Sequence, residues 1–357
     1  MPSNRLLLGL ATAAAVILGG CSSGVEERTL FVLLTDNRLL RVSEDGAVLS
    51  RVRLGAMPEF ASYGSLLASS SDGETIYALV RGKRQHVAAI DRDGLVVQRY
   101  ALPRDMTWRR LAVGPESGRI YVAGDVPGER RNDLGEVELG VRLLVLSPDG
   151  VRLALAPIRE PEGRDWYVGW TTVARDESSL LVSYHGSDTT GSDVVRLDPI
   201  RLCVDRTPEW GACLGGNHGR SQWVGDRIVA ATGESQLALL DGSGRVVRKL
   251  ESGLRNIHLM EFEVVGNVAY AFGDCVKGAG LARVPLDGGE ARVVARGACG
   301  DVAARLEDST LVFGRRWSRD LYGRGKGAAL VYVDLDVGKI KRSIELPEDP
   351  ADVLAVG

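Results

Sequence analysis

The chain has 357 residues, carries 44 Lys and Arg against 47 Asp and Glu for a net charge of −3, and is 45% hydrophobic. That balance excludes a general nucleic-acid binder, which would need a basic surface, and the lack of low-complexity tracts excludes a disordered chain. The 44 glycines fall mostly in turn-like contexts, so many short strands are expected rather than long helices.

Residues 1–20 have the layout of a secretory signal peptide, with a positive charge at Arg5, an apolar stretch from Leu6 to Leu18 and two small residues, Gly19 and Gly20. The stretch is shorter than the ~20 apolar residues a spanning helix needs. The run LGGC, ending at Cys21, resembles the bacterial lipobox, in which the cysteine is lipidated and becomes the first residue after cleavage. The resemblance implies a lipoprotein held to a membrane through Cys21, stably so once two or more acyl chains are attached. Ser22 and Ser23 follow in place of an inner-membrane retention Asp, which favours the outer membrane or, in a monoderm, the cell surface. The expected division is signal peptide over 1–20, lipidated cysteine and tether over 21–28, and one domain over 29–357. The mature chain would carry 43 Lys and Arg against 47 Asp and Glu, a net charge of −4.

From Thr29 onward one β-branched and aromatic run recurs: TLFVLL at Thr29, TIYALV at Thr75, RIYVAG at Arg119, SLLVSY at Ser179, RIVAAT at Arg227, VAYAFG at Val268 and TLVFGR at Thr310. Most starts lie 41 to 48 residues apart, with one gap of 60. A period near 45 matches four antiparallel strands per blade of a β-propeller. Each run leads into a second strand and an Asp/Gly turn, as in RVSEDG at Arg41 or VLSPDG at Val145, where a tight reversal needs a side-chain acceptor and a residue tolerant of positive φ. An alternating outer strand follows, such as KIKRSIEL from Lys339, and an inner strand such as WRRLAV from Trp108 precedes each first run. The unit at Thr29 lacks an inner strand, whereas ADVLAV, from Ala351 to Val356, is an inner strand without a blade. An all-β, seven-bladed propeller closed by pairing of the N- and C-terminal strands accounts for both, and closure removes two open sheet edges. A β-sandwich or a row of small β domains would leave an orphan strand at each end.

These repeats resemble the YVTN family of seven-bladed propellers, related in architecture to the large subunit of quinoprotein amine dehydrogenases. RIYVAG at Arg119 lies nearest the family pattern, and the Thr-Asn pair that names the family occurs in no blade. The resemblance implies the fold over nearly the whole mature chain and leaves function open.

With strands a to d running from the inside out, the a-to-b and c-to-d turns share one end of every blade and are uniformly tight. The other end is expected to hold the long loops, residues 124–140, 159–165, 185–193, 207–217 and 314–327, and loops on one rigid face are where recognition is usually placed. The tether from Ser22 to Arg28 reaches at most ~25 Å and enters at the tight-turn end, so the membrane is expected beneath that face.

Candidate binding residues follow from this layout. Arg81, Lys83 and Arg84 in the second blade, and Arg315, Arg316, Arg319, Arg324 and Lys326 around Trp317 and Tyr322 in the seventh, form two basic loops flanking the first blade, suited to an anionic glycan or an acidic envelope protein. Solvated loop charge is the competing explanation. Of the four histidines, His185, His218 and His258 fall near the open face of consecutive blades, with Arg220 nearby, yet their spacing is that of the blades and no metal-ligand motif is present. Trp166 and the neighbouring aromatics Trp108, Tyr167, Trp170 and Trp223 could stack on a ligand at the channel mouth or pack between blades. Cys203, Cys213, Cys275 and Cys299 suit disulfides in an oxidising compartment, with sequence proximity favouring Cys203 with Cys213 and Cys275 with Cys299.

No nucleophile elbow, zinc-protease helix, phosphate-cradling loop or haem motif occurs, so no catalytic residue, metal or cofactor is expected. The primary expectation is a binding or scaffolding lipoprotein that presents a propeller face to an envelope protein or glycan. The alternative is a hydrolase or lyase similar to the seven-bladed lactonases. That reading requires at least three convergent polar side chains with perturbed protonation at the channel mouth.

Overall fold

The structure, a computed structural model, describes residues 28–58, 64–131, 137–159, 167–173, 177–185, 190–197, 204–206, 220–231, 235–242, 245–254, 260–273, 280–296, 298–300, 302–307, 309–315, 318–319 and 325–357. Among them the regular elements are all strands, and no helix occurs. The chain is a β-propeller.

Six four-stranded antiparallel sheets are each built from one contiguous stretch of chain. In order from the inside out, blade two is Leu67–Ser69, Thr75–Val80, His86–Asp91 and Val96–Ala101, and blade three is Thr107–Val113, Ile120–Arg131, Val137–Leu146 and Arg152–Arg159. Blade four is Tyr167–Val173, Ser179–His185, Thr190–Leu197 and Val204–Arg206, and blade five is Ser221–Val224, Arg227–Ala231, Gln236–Leu240 and Val246–Glu251. Blade six is Met260–Val265, Val268–Gly273, Gly280–Pro285 and Arg292–Arg296, and blade seven is Val302–Glu307, Thr310–Arg315, Ala329–Asp334 and Lys339–Glu345.

A further four-stranded sheet, blade one, exists only through the two ends of the chain. Pro350–Val356 is its inner strand, followed by Thr29–Leu34, Arg38–Ser43 and Val48–Arg53. Thr29 faces Val356 and Val32 faces Val353 in an antiparallel register. The expected count of seven is therefore qualified: six blades are contiguous, and the remaining sheet is composite. Its inner strand lies between those of blades seven and two, so the ring closes there.

Alternation along the strands explains the packing. Middle strands such as Thr29–Leu34 and Thr75–Val80 bury both faces, because a neighbouring blade lies on each side, and they read as continuous apolar runs. Outer strands such as Lys339–Glu345 bury almost nothing and carry Lys and Arg, which blunts an exposed sheet edge. The core consists of layers between successive blades. Phe272 of blade six and Phe313 of blade seven stack across one such layer, with centroids 5.3 Å apart.

The c-to-d turns follow the predicted chemistry. Asp91 accepts the Leu95 N–H at 2.8 Å, and Asp241 accepts that of Arg245 at 3.0 Å. Gly150, in the equivalent turn of blade three, sits at φ +80°. The expected loop over 124–140 is corrected: strands Ile120–Arg131 and Val137–Leu146 continue through most of it, with Gly140 facing Val126. Pro127 and Gly128 made that stretch look irregular, but pairing at the end of a sheet tolerates both. Likewise His185 pairs with Thr190, so of the expected loop over 185–193 the described residues, 185 and 190–193, lie in paired strands.

Candidate functional site

The long-loop face carries a cleft of about 360 Å³ between blades two and three. One wall is the b-to-c loop of blade two, with Arg81, Gly82, Lys83 and Gln85; the other is the segment leading into blade three, with Arg104, Thr107 and Arg109; Leu102 and Met106 form the apolar floor. The described residues that line it include no carboxylate.

Local sequence builds these walls. The inner strand of blade three has a register shift between Trp108 and Arg110, so Arg109 is an extra residue opposite the Gly124–Ala123 step. A bulge re-aims successive side chains. Arg109 turns to Asp125, with Nε 2.5 Å from its carboxylate, while Arg110 is buried. Gly124 makes the close approach feasible, since a Cβ there would lie 2.7 Å from the Thr107 carbonyl oxygen. Gln85 ties the walls together. Its amide donates to the Trp108 carbonyl at 2.8 Å and accepts the Trp108 N–H at 2.9 Å. The Trp108 indole is wholly buried and donates to the Pro103 carbonyl at 3.0 Å, which is the packing role and not that of a ligand platform. Asn37 of blade one holds the other flank, receiving the Arg81 N–H at 3.3 Å.

Behind the cleft lies a second polar cluster, on the inner strands around the central channel. Asp352 Oδ2 accepts the Leu66 and Leu67 N–H groups at 2.6 and 2.8 Å, and Oδ1 accepts the Val353 N–H at 2.9 Å. Burial nevertheless raises its pKa above the ordinary carboxylate value. Burial, reinforced by the neighbouring positive charges of Arg109 and Arg81, brings Arg110 down to about 10. Arg220 pairs with Glu263 at 2.7 Å and donates to the Ala303 carbonyl at 3.1 Å. Desolvation pushes Glu263 upward in spite of that guanidinium. A channel cavity of about 360 Å³ is bordered by Ser65, Ser69, Arg220, Ser221, Gln222 and Asp352. The buried Ser221 hydroxyl there has no hydrogen-bond partner among the described residues.

The predicted residues divide accordingly. Arg81 and Lys83 line the cleft, Arg84 is exposed beside it, and Arg220 borders the channel. Arg315 closes its strand at the long-loop end, its pKa lowered by burial, and donates to the Gly327 carbonyl at 3.2 Å. His185 and Arg319 fall in strands, at the ends of Ser179–His185 and Ser318–Arg319. Trp166, His218, His258, Arg316, Trp317, Cys21, Cys203, Cys213 and Cys275 lie outside the described residues. Cys299 is buried and disulfide-bonded. Sequence reasoning missed Arg104, Arg109, Asp125, Arg110, Asp352 and Glu263. The available signal was a charged residue inside an otherwise apolar inner strand, repeated as Arg110, Glu263, Arg305 and Asp352.

No family model matches the chain, and no curated protein matches it. Solved structures match its fold. A putative 6-phosphogluconolactonase from Bacteroides fragilis superposes with TM-score 0.64 at 15% identity, covering 94% of this chain and 99% of that one. The periplasmic gluconolactonase PpgL of Pseudomonas aeruginosa gives 0.57 at 14% identity, with 92% and 99% covered. Apo AztD from Citrobacter koseri gives 0.52 at 14% identity, with 93% and 98% covered. At these identities the likeness shows the propeller fold alone.

Proposed function

We propose that the chain is a lipid-anchored, extracytoplasmic propeller, of the seven-unit kind the YVTN resemblance implies, whose long-loop face binds an anionic component of the cell envelope. The observation that carries this reading is the cleft between blades two and three, where Arg81, Lys83, Arg104 and Arg109 converge without a carboxylate among its described lining. Among the described residues the tight-turn end carries short reversals such as those at 44–47, 92–95 and 335–338, beside the point where Arg28 enters blade one. The test is retention of the full-length chain, in detergent micelles, on immobilised heparin as a polyanion probe. Arg84→Ala with Arg315→Ala, both at the long-loop end, should lower the salt needed for elution. Arg51→Ala with Arg53→Ala, on an exposed outer strand, should not. Equal effects of the two pairs, or no retention of the wild type, would overturn the reading.

A second reading, a lactonase-like hydrolase, draws on the displaced protonation of Arg110, Glu263 and Asp352 around the channel and on the propeller neighbours named as gluconolactonases. Lactone hydrolysis needs a base to activate water and positive charge at the carbonyl oxygen. Arg220 could supply the charge. Asp352 is a poor base, because both of its oxygens are occupied by main-chain N–H groups. Glucono-δ-lactone hydrolysis by the purified chain decides: a rate above buffer that Arg220→Ala abolishes supports the hydrolase, and a rate equal to buffer removes it.

A further inference from the structure

We propose that the cleft between blades two and three is a site for a small oxyanion, a carboxylate or phosphate monoester carried on a compact and partly apolar body. The proposal rests on the long-loop face being the ligand face and names the chemistry one part of it recognises.

Size comes first. A cavity of about 360 Å³ stands at the lower end of small-ligand pockets and is too short for a polymer to lie along. Charge sets the class. Arg81, Lys83, Arg104 and Arg109 line the cleft, and Arg110 lies directly behind them, close enough for Arg109 and Arg81 to disfavour its own charge. The carboxylates acting on Arg110 are Asp125, 2.5 Å from Arg109, and Asp352, occupied by three N–H groups. A positive excess in a half-enclosed, partly desolvated space is relieved by a bound anion, and guanidinium and ammonium groups together suit carboxylate or phosphate oxygens.

Shape supplies the remainder of the ligand. Leu102 and Met106 are buried under the cleft and offer an apolar floor, while the exposed Thr107 offers a hydroxyl at the rim. The walls are pre-set. The two hydrogen bonds between Gln85 and the Trp108 main chain hold the blade-two loop against the blade-three strand, so little ordering is left for binding to accomplish.

The experiment is calorimetric titration of the full-length chain in detergent micelles, at low ionic strength, with glucuronate, glucose 6-phosphate and glucose. Glucose is expected not to bind, and at least one anion is expected to bind, the stronger of the two distinguishing a carboxylate from a phosphate ligand. Lys83→Ala with Arg104→Ala should weaken that anion about tenfold or more with an unchanged thermal midpoint, while Arg51→Ala, on an exposed outer strand, should bind as the wild type does. Binding of glucose equal to that of the anions, an unaffected double variant, or no binding of either anion would overturn the proposal. Continued heparin retention through Arg84 and Arg315 would then show that the wider reading of the face survives without this site.

Discussion

Asp352 and Leu66 stand 286 positions apart in the chain, yet the Asp352 carboxylate accepts the Leu66 main-chain N–H at 2.6 Å. The same oxygen takes the Leu67 N–H, so the last strand of the chain is clipped to the entry of blade two by one buried side chain. Closure of the ring therefore has a polar fastening as well as the strand pairing between Thr29–Leu34 and Pro350–Val356.

Asp352→Ala should leave the Leu66 and Leu67 N–H groups buried without acceptors. Each such loss costs about 1–3 kcal/mol, and a combined destabilisation of about 2–5 kcal/mol is expected. Asp352→Asn, which keeps one acceptor oxygen, should cost less. Urea unfolding of the three proteins measures the order.

Glu263 gives a pH dependence of defined sign. Its folded pKa is raised above 4.5, burial outweighing Arg220. The folded state consequently takes up the proton first as pH falls, and Glu263 contributes more stability as pH drops from its folded value toward 4.5. The difference in unfolding free energy between wild type and Glu263→Gln should shift in favour of the wild type across that window and level off below it. A shift in the opposite direction would mean that Arg220 dominates and that the carboxyl is held low.

Much of the fold was legible because it rests on local rules repeated many times. The runs beginning at Thr29, Thr75 and Thr310 are middle strands buried on both faces, so they read as apolar blocks wherever they occur. The Asp/Gly turns are equally local, and the orphan strand at the C-terminus revealed itself by lacking a blade. The cleft was only half legible. Arg81 and Lys83 stood out as a loop cluster, but they were grouped with the basic loop of blade seven, on the other side. Their described partners across the cleft, Arg104 and Arg109, come from the connection into blade three and from a bulge, and a bulge is invisible to a period-two pattern. Asp352 was hidden for a different reason: what it binds is main chain, which no sequence pattern displays.

Gln85 is the hinge between the walls of the cleft. Gln85→Ala orphans both main-chain groups of Trp108, and a loss of about 1–3 kcal/mol is expected. Unlike a substitution elsewhere in the core, it should also weaken oxyanion binding, by decoupling Lys83 from Arg104. Denaturant unfolding and calorimetry on the same preparation check both outcomes.

Gly150 tests the tight-turn face. It sits at φ +80°, and a Cβ there would meet the Tyr100 ring at 2.0 Å, while the Tyr100 hydroxyl donates to the Pro148 carbonyl at 2.8 Å. Gly150→Ala combines backbone strain with displacement of a packed ring, so about 2–4 kcal/mol of destabilisation is expected. Thermal unfolding should show it, with heparin retention unchanged at low temperature because the long-loop face is untouched.

Hydrogen–deuterium exchange of the full-length chain, with and without heparin, tests the central claim most directly, since it reports on both faces of the propeller at once. Slowed exchange is predicted over residues 81–85 and around Arg315 at the long-loop end, with the turns at 44–47, 92–95 and 335–338 unchanged. Protection in those tight turns, or protection spread evenly around the outer strands, would contradict it.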